Sequence, residues 1–184
     1  MDELAGFASA AVEGDALAAA ALVRATQSDV WRLCAALVDR GSADDLTQET
    51  YLRAFGAMHR FEGRSALRTW LLAIARRVCA DALRSRRRRR LTLVGDDAVL
   101  EALDDVADRG ADSVGENAVV GDLLARLTPE RREAFVLTQL LGLPYAEAAE
   151  VAGCPVGTIR SRVARARDDL VTALAAEGGD AARG

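Results

Sequence analysis

The stretch LPYAEAAEVAGCPVGTIRSRVARARDDL, Leu143 to Leu170, reads as a helix, a glycine turn and a second, arginine-rich helix. The short apolar periodicity of Tyr145 to Val151 stops at Gly153, the residue type best able to take a left-handed turn conformation. Pro155 follows at a position where the first turn of a helix tolerates proline, because its missing N–H would lack a partner there anyway. Beyond it, Ile159, Val163, Ala166 and Leu170 recur at helical spacing and form an apolar stripe. Thr158, Arg160, Ser161, Arg162, Arg165 and Arg167 fall largely outside that stripe, where guanidinium groups reach phosphates or the paired acceptors of guanine. A solvated, arginine-rich surface helix would share the charge. Turn, stripe and charge together favour a helix-turn-helix that enters a DNA groove.

The rest of the chain is helical in composition too, being rich in alanine, leucine and arginine and poor in aromatics and proline. Its 184 residues suffice for one domain or two small ones. All 24 basic residues are arginine, so neither a phosphate-loop lysine nor a Schiff-base lysine exists. With His59 as the single histidine and no GxSxG turn, histidine relays and serine hydrolase chemistry fall away, and no catalytic residue is assigned. Cys34, Cys79 and Cys154 lie far apart with no CxxC pair and no second histidine to complete a zinc set; they read as small, partly buried residues of a reducing cytosol. No metal or cofactor is expected. The apolar run Ala16 to Val23 is closed by Arg24 and is too short to span a bilayer, so a soluble, cytoplasmic protein without membrane insertion is expected.

Charge is segregated in blocks that the net value of -4 conceals. Arg64 to Arg90 holds ten arginines against Asp81 alone, whereas Gly95 to Asp122 holds nine acidic residues against Arg109 alone. The first block attracts polyanions and the second is repelled by them. The acidic block is weakly periodic and carries Gly95, Gly110 and Gly115, which marks residues 91–118 as a flexible linker. It would part a first domain, residues 1–90, from a second, residues 119–176, with 177–184 a disordered tail. Fully extended, the linker would reach roughly 90 Å, enough for two modules to hold separate sites on one duplex.

Within the first domain, helical signals run from Leu4 to about Ser85, broken near Arg40–Ser42 and Glu62–Ser65. In DDLTQETYLRAFGAM, Asp44 is a natural N-cap, and Tyr51, Ala54, Phe55 and Met58 form the core face. Asp45, Gln48, Glu49 and Leu52 then share one flank, within an arc of about 100°. On these residues alone a solvated face is the readier reading, and docking onto a basic partner helix is the alternative. In RTWLLAIARRVCADALR, Trp70 reads by periodicity as a half-buried anchor rather than a stacking platform. Arg76, Arg77, Arg84 and the run Arg86 to Arg90 give this segment phosphate affinity, although the run would also suit a floppy tail.

The order of DDLTQETYLRAF, RTWLLAIARR, an acidic linker and LTPERREAFVLTQLLGLPYAEAAEVAGCPVGTIRSRVARAR resembles bacterial sigma factors of the extracytoplasmic-function (ECF) type, within the sigma-70 family. The resemblance spans roughly Ala16 to Leu174. It implies an all-α chain whose first domain is sigma region 2 and whose second is sigma region 4. It also implies a non-catalytic subunit of RNA polymerase that recognises promoters and assists their melting. Asp45, Gln48, Glu49 and Leu52 match the surface that binds the clamp helices of the beta prime subunit, with the beta subunit a further partner. Phe61 to Arg84 matches the part that recognises and melts the -10 element, which singles out Phe61, Arg64, Ser65, Arg68, Trp70, Arg76, Arg77 and Arg84. There, arginines would hold the separated strand while aromatic groups replace lost stacking. Thr158, Arg160, Ser161, Arg162, Ala164 and Arg165 match the surface that reads the -35 element as duplex, with Ala164 standing where relatives carry a larger side chain. An anti-sigma partner is implied as well, and no small-molecule substrate. The competing function is a helix-turn-helix repressor or activator that is not a polymerase subunit; it leaves the Asp45 flank and the arginine block without a role.

Overall fold

The computed structural model describes residues 3–92 and 116–181, and among these the chain is all-α, with eight α-helices and no strand. It divides into two compact units, with the division falling after Arg88.

The first unit contains α1 (Glu3–Val12), α2 (Ala16–Leu37), α3 (Ala43–Ala57), a 3-10 turn (Met58–Arg60) and α4 (Leu67–Thr92). Helical signals in the sequence run unbroken through α1 and α2, yet the two helices are separate. The break at Gly14 arises because the Gly14 N–H donates to Ala11 O and the Asp15 N–H to Ala10 O, at 3.1 and 3.0 Å, the closing pattern of a left-handed glycine cap. Asp15 then caps α2, its carboxylate accepting from the N–H groups of Leu17 and Ala18 at 2.8 and 3.1 Å. Ala8, Leu22, Met58 and Leu67 form a core cluster against which Phe7, Phe61 and Trp70 pack. Val30, Leu33, Ala54, Leu71, Leu72 and Val78 are buried too.

Two expectations for α3 change. Asp44 is not the N-cap; Ser42 occupies that position, and the Asp44 carboxylate accepts instead from Trp31 Nε1 at 2.8 Å. Phe55 leaves the core face at 37% exposure, while Tyr51, Ala54 and Met58 stay buried. The Tyr51 hydroxyl meets Thr26 Oγ1 at 2.7 Å, and Thr26 itself donates to Leu22 O, so Tyr51 is the donor in that contact. Burial of this phenol pushes its pKa up. Cys34 of α2 and Cys79 of α4, distant in sequence, are both buried and hydrogen-bonded to one another, a contact that lowers the Cys34 pKa.

The run Arg86 to Arg90 belongs to α4, so it is helical rather than a tail. Arg86 is set apart from its neighbours, with Nη1 at 2.6 Å from Asp39 Oδ2 and Nη2 at 2.5 Å from Ser42 Oγ. Ser42 Oγ is thereby spent on Arg86, and it makes no bond to the first turn of α3. Burial raises the Asp39 pKa, but Arg86 and Ser42 outweigh it and hold the carboxyl below its usual range. We expect Arg86→Ala to cost about 1 to 2 kcal/mol in urea unfolding, whereas Arg87→Ala, at an exposed position, stays within about 0.5 kcal/mol. A depressed carboxyl pKa contributes stability above its unfolded value and loses it in acid. The Arg86→Ala difference should therefore shrink as pH falls below about 4. Equal destabilisation by both substitutions, or a gap that persists in acid, would contradict this role.

The second unit contains α5 (Glu116–Ala125), α6 (Pro129–Phe135), a π turn (Val136–Leu140), α7 (Tyr145–Ala152) and α8 (Val156–Ala181). Pro129 opens α6 from the position that needs no N–H donor. Arg132 of α6 reaches the C-terminal end of α5, donating to Leu124 O, Ala125 O and Leu127 O at 2.8, 2.9 and 3.2 Å. It thus adds donors at the end of a helix, where intrahelical partners for the carbonyls run out. The core holds Leu124, Leu127, Val136, Leu137, Leu141 and Leu143 with Ile159, Val163 and Ala166 from α8. Of the linker expected over residues 91–118, residues 93–115 lie outside the described residues, and both ends are helical, in α4 and α5. Residues 177–181, expected as disordered tail, continue α8, while 182–184 lie outside the described residues.

Candidate nucleic-acid interface

Gly153, at φ +65°, closes α7 with a Schellman pair: the Cys154 N–H donates to Ala149 O and the Gly153 N–H to Glu150 O. The carbonyl of Pro155 then accepts from the N–H groups of Thr158 and Ile159, which starts α8 at once. Ile159, Val163 and Ala166 are fully buried, whereas Arg160, Ser161, Ala164 and Arg165 are exposed. At 100° per residue those four span an arc of roughly 140° on the side away from the buried stripe. Thr158 and Arg162 lie at its edge, half-buried.

The structure sorts arginines that look alike in sequence. Arg167 donates to Gln139 Oε1 at 2.8 Å, and Arg162 folds back to 3.8 Å from Cys154 Sγ. Arg160 and Arg165 have no hydrogen bond or ion pair among the described residues, so their donors stay open for an outside acceptor. Ser161 Oγ donates to Thr158 O at 2.9 Å and keeps its lone pairs outward. Asp168, exposed in the middle of the same arc one turn beyond Ala164, ends the stretch that an anionic backbone would tolerate.

In the first unit, Phe61 and Trp70 are half-buried, with ring centroids 5.3 Å apart, so both rings serve packing and are only partly exposed. Gly63, at φ +68°, turns the loop between them. Arg64 is exposed and pairs with Glu62 at 2.5 Å, while Ser65 is half-buried. Arg68, singled out from sequence as a DNA residue, is turned inward: Nε and Nη2 both lie 2.7 Å from Asp29 Oδ2 and tie α4 to α2. Arg76 is half-buried and Arg77 exposed. Arg84 is exposed and pairs with Asp81.

On α3, Asp45 and Gln48 are exposed, Glu49 is half-buried, and Leu52 is 71% exposed, so the flank stands open as a unit. A bare leucine ringed by acidic and amide groups suits a docking surface better than plain solvation does. Arg53 was missed, although the Glu49–Arg53 spacing of i to i+4 was visible. Its Nε lies 2.7 Å from Glu49 Oε1 and its Nη1 2.7 Å from Asp81 Oδ2. The hydrogen bond from Arg53, then that from Arg84, lowers the Asp81 pKa, and the hydrogen bonds to Asp81 and Glu49 raise that of Arg53.

An all-α chain with open arginines on the second helix of a helix-turn-helix has the build of a DNA-binding protein. Residues 22–89 match Sigma-70 region 2, and residues 118–170 match Sigma-70, region 4. The chain is 57% identical over 165 residues to the ECF RNA polymerase sigma factor SigC of Mycobacterium tuberculosis, covering 90% of this chain and 88% of that protein. Among solved structures, CnrH in complex with the cytosolic domain of CnrY aligns with a TM-score of 0.71 at 27% identity, over 94% of this chain and 97% of that one. The sigma factor RpoE in complex with the anti-sigma factor NepR from Bartonella quintana aligns with a TM-score of 0.68 at 25% identity, over 83% and 93%. The chain belongs to the sigma-70 family, among its ECF members: it is a sigma factor of RNA polymerase that directs promoter-specific initiation of transcription. A repressor or activator independent of polymerase would leave the match over residues 22–89 without a role. Among the described residues, no helix is long and apolar enough to cross a membrane.

Proposed function

We propose that residues 1–90 act as region 2, binding core polymerase and opening the -10 element, and that residues 119–176 act as region 4, reading the -35 element. The α3 flank of Asp45, Gln48, Glu49 and Leu52 docks on the clamp helices of beta prime, with the beta subunit as a further contact. On the first unit, Arg64, Arg77 and Arg84 hold the opened strand, and Arg76 assists from a half-buried position. Phe61 and Trp70 offer partly exposed rings beside the Gly63 turn, with Ser65 nearby. Arg68 serves this surface indirectly, by fixing α4 to α2 through Asp29. On α8, Arg160, Ser161, Ala164 and Arg165 face the major groove, and Thr158 and Arg162 border it.

The observation that carries this reading is the pair of outward arginines, Arg160 and Arg165, opposite a fully buried stripe and without a hydrogen bond or ion pair among the described residues. The chain does no chemistry of its own; binding energy to the opened strand offsets melting. It works in the cytoplasm, where the polymerase is. Its activity is checked by a partner of the anti-sigma class, a reading supported by the complex of RpoE with the anti-sigma factor NepR. The deciding experiment is run-off transcription with purified core polymerase, followed by sequencing of transcript starts. Core plus this chain should initiate at defined sites where core alone does not. Folded protein that binds core yet confers no defined start would overturn the reading.

A further inference from the structure

The segment RARDDL holds three consecutive charges, Arg167, Asp168 and Asp169, and α8 sends them different ways. Arg167 is held by Gln139 at 2.8 Å, and Asp169 turns to α6, its Oδ2 lying 2.5 Å from Arg131 Nη1. Asp168 is exposed, and its carboxylate has no hydrogen bond or ion pair among the described residues. At 100° per residue it lies roughly 80° into the arc of roughly 140° that Arg160 and Arg165 bound, on the centreline of the reading face. At 1.5 Å per residue it stands about 4.5 Å beyond Arg165 along the helix axis. That face therefore carries two open cations and one open anion.

We propose that Asp168 is a specificity-determining residue of α8: it repels phosphates near Arg165 and so turns that guanidinium from the DNA backbone to the base edges. The proposal rests on the placement of α8 at the -35 element. Non-specific binding is carried by cations on phosphates, whatever the sequence. A phosphate engaged by Arg165 falls within the roughly 8 Å over which a charge is felt at physiological salt, so the Asp168 carboxylate opposes that contact. The acceptor pair on a guanine edge bears no formal charge, and a contact made there escapes most of the repulsion. Sliding α8 along its axis to set its arginines on the backbone adds to the cost, because the carboxylate itself then approaches phosphates. Asp168 thus weakens every complex but the wrong ones most, which is discrimination by an unfavourable contact. It acts through Arg165 and touches no base. Arg165 and Asp168 are both exposed, so the effect is that of solvated charges, about two- to fivefold.

The test measures holoenzyme affinity for two promoter duplexes that share a -10 element and differ in the -35 element, one cognate and one scrambled. The ratio of the two affinities is the quantity of interest, and circular dichroism checks that each variant is folded. Asp168→Asn should bind the scrambled duplex about two- to fivefold more tightly and gain less on the cognate one, so the ratio falls. That fall should shrink as added salt shortens the screening length. Asp168→Glu keeps the charge and should keep the wild-type ratio; a role in shape or hydrogen bonding would instead favour the Asn variant. A wild-type ratio in Asp168→Asn would overturn the proposal. So would a loss confined to the cognate duplex, which would mark Asp168 as an acceptor for a cytosine amino group. Failure of the underlying placement shows separately. If wild-type holoenzyme does not distinguish the duplexes, or Arg165→Ala leaves both affinities intact, this face does not read the -35 element and the proposal falls with it.

Discussion

Asp45→Arg should weaken core-polymerase binding severely while helical content stays the same. Asp45 is exposed in the first turn of α3 and contributes nothing to the core, so its reversal acts mainly on what docks there. Placing a cation near the positive end of the helix dipole costs about 0.3 to 1 kcal/mol, which a folded domain tolerates. Across a desolvated interface with a basic partner, the same reversal replaces attraction with repulsion. A loss of about 2 to 5 kcal/mol, or roughly thirtyfold to several thousandfold in affinity, is the expected scale. Glu49→Arg should show a similar loss and in addition set Arg53 beside a like charge. Titration calorimetry against core polymerase, with circular dichroism of each variant, measures both halves of the prediction. If both variants bind core as tightly as the parent chain, the α3 flank is not the docking surface.

The second large effect belongs to Arg160 and Arg165. If either makes a bidentate guanine contact, its alanine variant should lose about 1 to 3 kcal/mol on the cognate -35 base pair and lose preference at that position. A phosphate contact would instead weaken all sequences alike and reduce the salt slope by about 0.9. Arg167→Ala supplies the internal control, since that guanidinium is already held by Gln139. Binding is best measured with holoenzyme on matched promoters, where both units are presented together. Should Arg167→Ala cost as much as Arg160→Ala and Arg165→Ala, the assignment of the reading face to that arc of α8 is wrong.

Local signals were legible in the sequence. The Gly153 turn, the start of α8 after Pro155 and the buried sequence Ile159, Val163, Ala166 all follow from turn chemistry and helical periodicity, and they appear where the spacing puts them. The Asp45 flank was legible for the same reason. Gly14 and Asp15 carried an equally good stop-and-start signal, but alanine-rich sequence on both sides drew the helix through it. Phe55 fits the apolar spacing of α3 yet lies at the rim, because the face centred on Tyr51, Ala54 and Met58 is narrower than the run of apolar letters. Long-range pairing was not legible at all. Nothing in a run of arginines says that Arg68 turns to Asp29 or that Arg86 turns to Asp39 and Ser42; these choices are made where α4 meets segments 39 and 47 residues away in the chain.

The helical arginine run at the end of α4 behaves as a short polyelectrolyte. Arg86 and Arg90 are four residues apart, and Arg86 with Arg89 and Arg87 with Arg90 are three apart, so like charges repel along the helix surface. The negative end of the helix dipole offsets only part of this. Anions supply the remainder, whether as carboxylates of the chain, as dissolved salt or as a nucleic-acid backbone. The length of rod that projects past the Arg86 clamp is therefore set by the anions around it, so segment order and ionic surroundings are variables of one equilibrium.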